Sequence, residues 1–435
     1  MAALGLLMFV VGTLQVDAGI IAWPLWPGTS KGVLISPVDM LAIALIATRP
    51  GSQTKIPFAL VSIVWLLPTF ISMFVSNVPM ATFFKLMEGI QLILFATAVA
   101  GELMRPSALP LLMQGLSAGL ILQAGYVIEQ KLGGTIQASG TLDHQNSLGM
   151  MVELSVLILM GYVLEGGKGK LCYAGVAAGL LIAAGGGSRG TLLFLAVGIA
   201  LLLIFSLMRG MTPRKAKVLA AGVAAAVVFV PLSLATLEDR FGDTTMVTEE
   251  AERAAFERAA LAMAADHPLG VGSNMYVSVA NSEGYSADAG VNWNASSRAA
   301  SVHNMFLLTR AEKGRFGEIM LYLLMGVCAW QGFAAGRRSR APLLGGAALG
   351  ASAAAIAVLS HNHFEYVFSL GAIQRLFWLG IAVVGGCLMV ERQLDSAARK
   401  RRMAAARERA ARLAEQAGQP RGDQTDGIAA GGQAG

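Results

Sequence analysis

The chain is a series of apolar runs, each about 17–25 residues long, broken by short clusters of charge. A helix rising 1.5 Å per residue needs a run of that length to cross about 30 Å of hydrocarbon. Only 14% of the 435 residues are charged and 55% are hydrophobic. Soluble domains carry about 25% charged residues, so no part reads as a soluble catalytic domain. The expectation is an all-α, polytopic integral membrane protein of about twelve transmembrane helices with one large, partly helical outer-face loop. The runs fall near 3–23, 35–48, 56–76, 80–101, 108–128, 146–164, 170–186, 190–208, 217–236, 305–334, 342–360 and 367–390. The first lacks a basic leader and a clear cleavage site, so it reads as a retained helix.

Basic residues fall in alternate connections. One set holds Arg49, Lys55, Arg105, Lys168, Lys170, Arg209, Arg214, Lys215, Lys217, Arg337, Arg338 and Arg340; the other set is nearly free of them, with Lys31, Lys131 and Arg189 as exceptions. Cytoplasmic loops carry the excess of Lys and Arg. Both termini are therefore expected on the cytoplasmic side and the long loop, about 237–304, on the outer face. Residues 1–390 form the expected membrane domain. Residues 391–435 form a basic, disordered cytoplasmic tail, within which 395–417 has the pattern of a helix lying on anionic lipid. The net charge of +6 reflects where these basic residues cluster and carries little weight for nucleic acid. Cys172, Cys328 and Cys387 all sit in apolar runs and read as small buried hydrophobes.

Polar groups at membrane depth are costly and are functional candidates by default. Ser188-Arg189-Gly190-Thr191 joins two apolar runs with almost no loop, after three glycines. A guanidinium beside a helix N-terminus suits a phosphate; the alternative is an arginine snorkelling to headgroups. Asp143-His144-Gln145-Asn146-Ser147 ends another outer loop. Asn146 or Ser147 would serve as an N-cap, which leaves His144 unexplained. In the long loop, Thr248 to Met263 has the acids and apolar stripe of a surface helix, with Arg253 and Arg258 on it. Glu249 and Glu257 are near enough to pair with them. Asp266-His267-Pro268-Leu269-Gly270-Val271-Gly272 then reads as a tight turn. His303 stands where this polar segment returns to apolar sequence. It is followed by Asn304, Arg310, Glu312, Gly314 and Gly317. Histidine acts as acceptor, donor or cation near neutral pH, so at such a seam it is either catalytic or a helix cap. His361, His363 and Glu365 form the last outer turn, a weak pattern for a metal. No P-loop, GxSxG or HExxH motif is present.

Three segments together resemble the O-antigen ligase and polymerase family. They are Gly140 to Gly149, Gly187-Ser188-Arg189-Gly190, and a third running from Arg253 through Phe256, Pro268, Gly270, Gly272 and His303-Asn304 to Glu312, Gly314 and Gly317. The resemblance covers about 140–317. Gln145 replaces a common proline and Phe256 a common tryptophan. The resemblance implies transfer of an undecaprenyl-diphosphate-linked glycan to an acceptor hydroxyl, on a glycan, lipid A–core or another molecule, at the periplasmic face of a bacterial inner membrane. It implies no metal, no nucleotide, no other cofactor and no nucleic acid. Arg189 and Arg253 are the expected diphosphate grips and His303 the base or orienting group. His144, Asn146, Asn304, Arg258, Arg310 and Glu312 are the expected substrate contacts, and Arg298 is a further candidate cation. Two alternatives stand beside a ligase: a repeat-unit polymerase of the same family, and a transporter or flippase for lipid-linked glycan. Lys85, Glu88, Glu153 and Arg375, inside apolar runs, speak for the transporter.

Overall fold

The computed structural model describes residues 1–14, 18–49, 55–220 and 245–418. Most of the ninth expected span (217–236), the start of the long loop and Arg421 lie outside these residues. The chain divides into two units, Met1–Met389 and Val390–Gly435, and every candidate site residue belongs to the first.

Helix α1 is Ala2–Leu14, followed by an antiparallel pair of strands, β1 (Ala18–Ala22) and β2 (Gly32–Ile35). This corrects the single helix expected over 3–23 and adds one small hairpin to an otherwise helical fold. Thirteen helical residues rise only about 20 Å. Ile20 and Ile21 on β1 and Val33 and Ile35 on β2 are β-branched and favour extended chain, with Ala18 paired to Ile35, Gly19 to Leu34 and Ile21 to Val33. Helix α2 (Pro37–Ala47) opens with a capping box between Ser36 and Asp39. The third expected span is two short helices, α3 (Ala59–Val64) and α4 (Leu67–Ser72). Then come α5 (Pro79–Glu102), α6 (Ala108–Leu132), α7 (Gln145–Leu164), α8 (Lys170–Gly186) and α9 (Arg189–Leu207).

The long loop contains α10 (Thr245–Asp266), as its sequence predicts, and three short helices, α11 (Tyr276–Ser282), α12 (Tyr285–Asp288) and α13 (Ala295–Ala299). Helices α14 (Met305–Arg338), α15 (Pro342–His361) and α16 (Gly371–Gly418) complete the order. The second unit holds the later part of α16. There Arg412 pairs with Glu408 at 3.0 Å on an exposed face. Among the described residues, α5, α6, α7, α9, α14, α15 and the Gly371–Leu413 part of α16 are long and apolar enough to cross a membrane. Helices α2 and α8 and the α3–α4 pair are shorter apolar helices. The protein is a multi-pass membrane protein.

Helix α7 is buried from Asn146 to Leu164, packed between α8, α9 and α15. Small residues make this possible. A side chain at Gly161 would strike the carbonyl of Gly346, and one at Gly350 the carbonyl of Leu157, so α7 and α15 touch backbone to backbone. That contact sets the start of α7 beside the end of α15. The basic end of the bundle is clamped by ion pairs. Glu165 takes Arg209 at 3.1 Å and Lys215 at 2.7 Å, and Glu102 takes Arg49 and Arg105. Part of the basic charge that marks this end is therefore structural.

Candidate active site

The site forms at the other end, where α7 and α14 begin and the chain turns after α15. His144 is the N-cap of α7, in place of the expected Asn146 or Ser147: its extended backbone lets Nδ1 accept from the Asn146 amide at 3.2 Å. An imidazole nitrogen accepts only when unprotonated. Burial of the ring pushes the His144 pKa down, His303 and Arg253 add to this, and Glu365 opposes it. With His144 as the cap, the Asn146 side chain is free to donate to Glu365 Oε1 at 2.5 Å.

Glu365 is the hub. It is 4% exposed, yet three of the candidate side chains meet it. His303 Nδ1 lies 3.3 Å from Oε2, Arg253 Nη2 lies 3.5 Å from Oε1, and Asn146 holds the same Oε1. Arg253 also donates to the Phe364 carbonyl at 3.4 Å. The Met305 amide donates to the carbonyls of Asn362 (2.8 Å) and Glu365 (3.2 Å), stitching the turn after α15 to the first residue of α14. His303 keeps about a quarter of its side chain accessible and packs against Tyr366 (5.3 Å) and Phe256 (5.9 Å). Burial and the Glu365 carboxylate raise the Tyr366 pKa, so the phenol keeps its proton.

The other expected residues divide. Arg189 is exposed at the first residue of α9, after the Ser188 N-cap and the left-handed Gly187 (φ 65°). The next residue, Gly190, abuts the His361 ring. Asn304 caps α14, its Oδ1 accepting from Phe306 (3.0 Å) and Leu307 (3.1 Å), so that oxygen serves the helix start rather than a substrate. Arg258 donates to the Ala289 carbonyl at 2.8 Å. Arg298 sits over the Trp293 ring and donates to Val291. Arg310 is half-buried and makes no hydrogen bond or ion pair among the described residues. Glu312 belongs to a separate polar cluster, where its carboxylate accepts from the Tyr276 amide at 3.2 Å. Arg253 meets Glu365; the side chain of Glu249, its expected partner, lies outside the described residues.

Sequence reasoning missed Glu365 as a partner of His303, and the buried pair His361–Glu153 (2.8 Å) one turn before it. The signal was the last outer turn, which reads more readily as a weak metal motif. The two histidines of that turn point apart. His361 faces Glu153 under the stacked ring of Phe194, while His363 Nε2 meets the Tyr322 hydroxyl at 3.1 Å. Among the described residues, no group of three or more His, Cys, Asp or Glu is placed to hold a metal.

The Pro268–Gly272 turn docks against α14. Gly314 (φ 66°, ψ −177°) breaks that helix, and the amides of Val271 and Gly272 take the freed carbonyls of Ala311 and Glu312, both at 3.0 Å. Asn274, itself left-handed at φ 71°, then ties the loop to the N-terminal hairpin and to α5: it donates to the Ser30 carbonyl (2.7 Å) and the Ala81 carbonyl (3.2 Å) and accepts from the Ser30 amide (3.0 Å).

Fold and site define a class: a multi-pass helical membrane protein in which a histidine from the end of the long loop and an arginine from its helix meet on one buried carboxylate. Residues 174–322 match the family model described as O-antigen ligase, so over this stretch, about a third of its length, the chain is similar to that family. The match includes Arg189, Arg253 and His303; His144, Asn146 and Glu365 lie outside it. No curated protein matches the chain.

Proposed function

We propose that this protein is a membrane glycosyltransferase that moves a glycan from undecaprenyl diphosphate to an acceptor hydroxyl, as an O-antigen ligase does. The observation that carries the reading is the His303–Glu365 contact with Arg253 on the same carboxylate. The leaving group is already activated, so the protein needs cations for the diphosphate and an acceptor for one proton. With Nδ1–H donating to Glu365, Nε2 of His303 carries the lone pair that takes the acceptor proton. The forming imidazolium is stabilised by the carboxylate behind it. Arg253 and Arg189 stabilise the departing diphosphate. In this reading the reaction uses no metal or nucleotide, the positive-inside pattern puts both termini in the cytoplasm, and the site opens to the periplasm. Substituting His303 by alanine and following glycan transfer in membranes tests it: transfer is lost if His303 is the base, and full activity overturns the assignment.

A polymerase of the same family uses the same residues with a growing glycan as acceptor. In a deletion strain, intact chains left on the lipid carrier mark a ligase, and single repeats left on the final anchor mark a polymerase. Against a transporter stand the ion partners of its best candidates: Lys85 with Glu88, Glu153 with His361, and Arg375 with Asp39.

A further inference from the structure

A second polar cluster lies near His303, bounded by α5, the loop near Gly28 and the first turns of α14. There Lys85, Asn274, Glu312, Lys313, Ser369 and Gln374 line a cavity of about 30 Å³, room for roughly two to three waters. Ser301 and Met305, two residues to either side of His303, are part of the same wall.

The groups in this cavity are only partly satisfied. Lys85 Nζ donates to Glu88 Oε2 (2.9 Å) and to the Ser369 carbonyl (2.7 Å). The Glu312 carboxylate is held from behind by the backbone amides of Asn274 and Tyr276. A carboxylate has about four acceptor positions, so capacity is left over. The Lys313 ammonium has the Trp65 ring at 6.0 Å and no hydrogen-bond acceptor among the described residues. The Ser369 hydroxyl is buried without a partner, and the Gln374 side-chain amide makes no hydrogen bond among the described residues. Leaving such donors and acceptors unsatisfied is costly.

We infer that this cavity is a subsite for a pair of neighbouring hydroxyls on an uncharged acceptor sugar. Groups of both signs converge, so a lone anion meets Glu312 and a lone cation meets Lys313. A hydroxyl donates and accepts, and suits both. Two hydroxyls replace about two waters; the space is too small for a whole sugar ring, which stays outside the cavity next to His303. The subsite then decides which acceptor hydroxyl reaches Nε2. The inference rests on the reading of His303 as the group that takes the acceptor proton.

The test uses the purified full-length protein in nanodiscs, with methyl α-glucoside, methyl α-galactoside and, as an anionic comparator, glucuronate as probes for saturation-transfer NMR. A neutral glycoside is expected to bind the wild type and His303→Ala alike, and about tenfold more weakly to Lys313→Met, since a hydrogen bond to a charged group is lost. Ser369→Ala removes only an unpartnered hydroxyl, so it leaves thermal unfolding unchanged and still weakens binding. The subsite is overturned if no neutral glycoside binds, if glucuronate alone binds, or if both variants bind like the wild type. Retained glycan transfer by His303→Ala is a separate result, which sinks the proposed function itself.

Discussion

Replacing Glu365 by glutamine tests the chemistry at the point where the structure adds most to the sequence. The side chain keeps its shape and can still accept from Asn146, but the charge behind His303 is gone. At 3.3 Å and an effective dielectric near 20, a carboxylate and an imidazolium attract by about 5 kcal/mol. His303 is about a quarter accessible, and Glu365 is shared with Arg253 and Asn146, so screening leaves roughly 2–3 kcal/mol. At 1.36 kcal/mol per tenfold, transfer should slow by roughly 30- to 150-fold. The assay is the initial rate of glycan transfer in membranes, with each variant's amount and thermal unfolding matched to the wild type. His303→Ala and the double variant complete a cycle, and in that background Glu365→Gln should cost almost nothing more because the two residues act as a unit. A well-folded Glu365→Gln within threefold of the wild type, or a double variant whose losses simply multiply, refutes the coupling.

Arg253→Lys keeps the charge but loses the fork that spans Phe364 and Glu365; transfer should fall by about ten- to a hundredfold without a change in melting temperature. Gly350→Leu forces a side chain into the Leu157 carbonyl and should lower stability in detergent by about 1–3 kcal/mol or more, read by thermal unfolding. Asn274→Ala removes three hydrogen bonds between the loop and the N-terminal region, a loss of about 3 kcal/mol that should expose the loop to limited proteolysis. Acid should destabilise the fold through His144. Its folded pKa is held below the usual value near 6.5, so between the two values the unfolded chain binds a proton that the folded one refuses. Stability is full above about pH 6.5 and declines as pH falls through that value toward the folded pKa; His144→Asn, which keeps a capping side chain, should flatten the decline in thermal unfolding.

Much of the molecule is legible in the chain itself. Apolar runs of spanning length determine a multi-pass helical membrane protein, because hydrocarbon leaves the backbone few other ways to satisfy its hydrogen bonds. The glycine-rich turn at Pro268–Gly272 and the surface helix before it are readable because turns and amphipathic helices are local patterns. His303 and Arg189 stand out as candidates from their positions at the edges of apolar runs, and Arg253 from its place on the helix of the long loop. The first run misleads because length and hydropathy do not separate a helix from a helix followed by a strand, and the pairing that favours β1 comes from β2. Tertiary structure alone decided what stands behind His303. Glu365 is 62 residues further on and 219 from Asn146, and no spacing rule joins such positions. They meet because the small residues of α7 and α15 let two backbones touch, setting the turn after α15 against the start of α7. Local hydrogen bonds make His144 and Asn304 helix caps, and the loop after Gly272 engages the Glu312 carboxylate through the Tyr276 amide. Sequence supplies the reactive side chains, and the close approach of particular helices decides which of them work together.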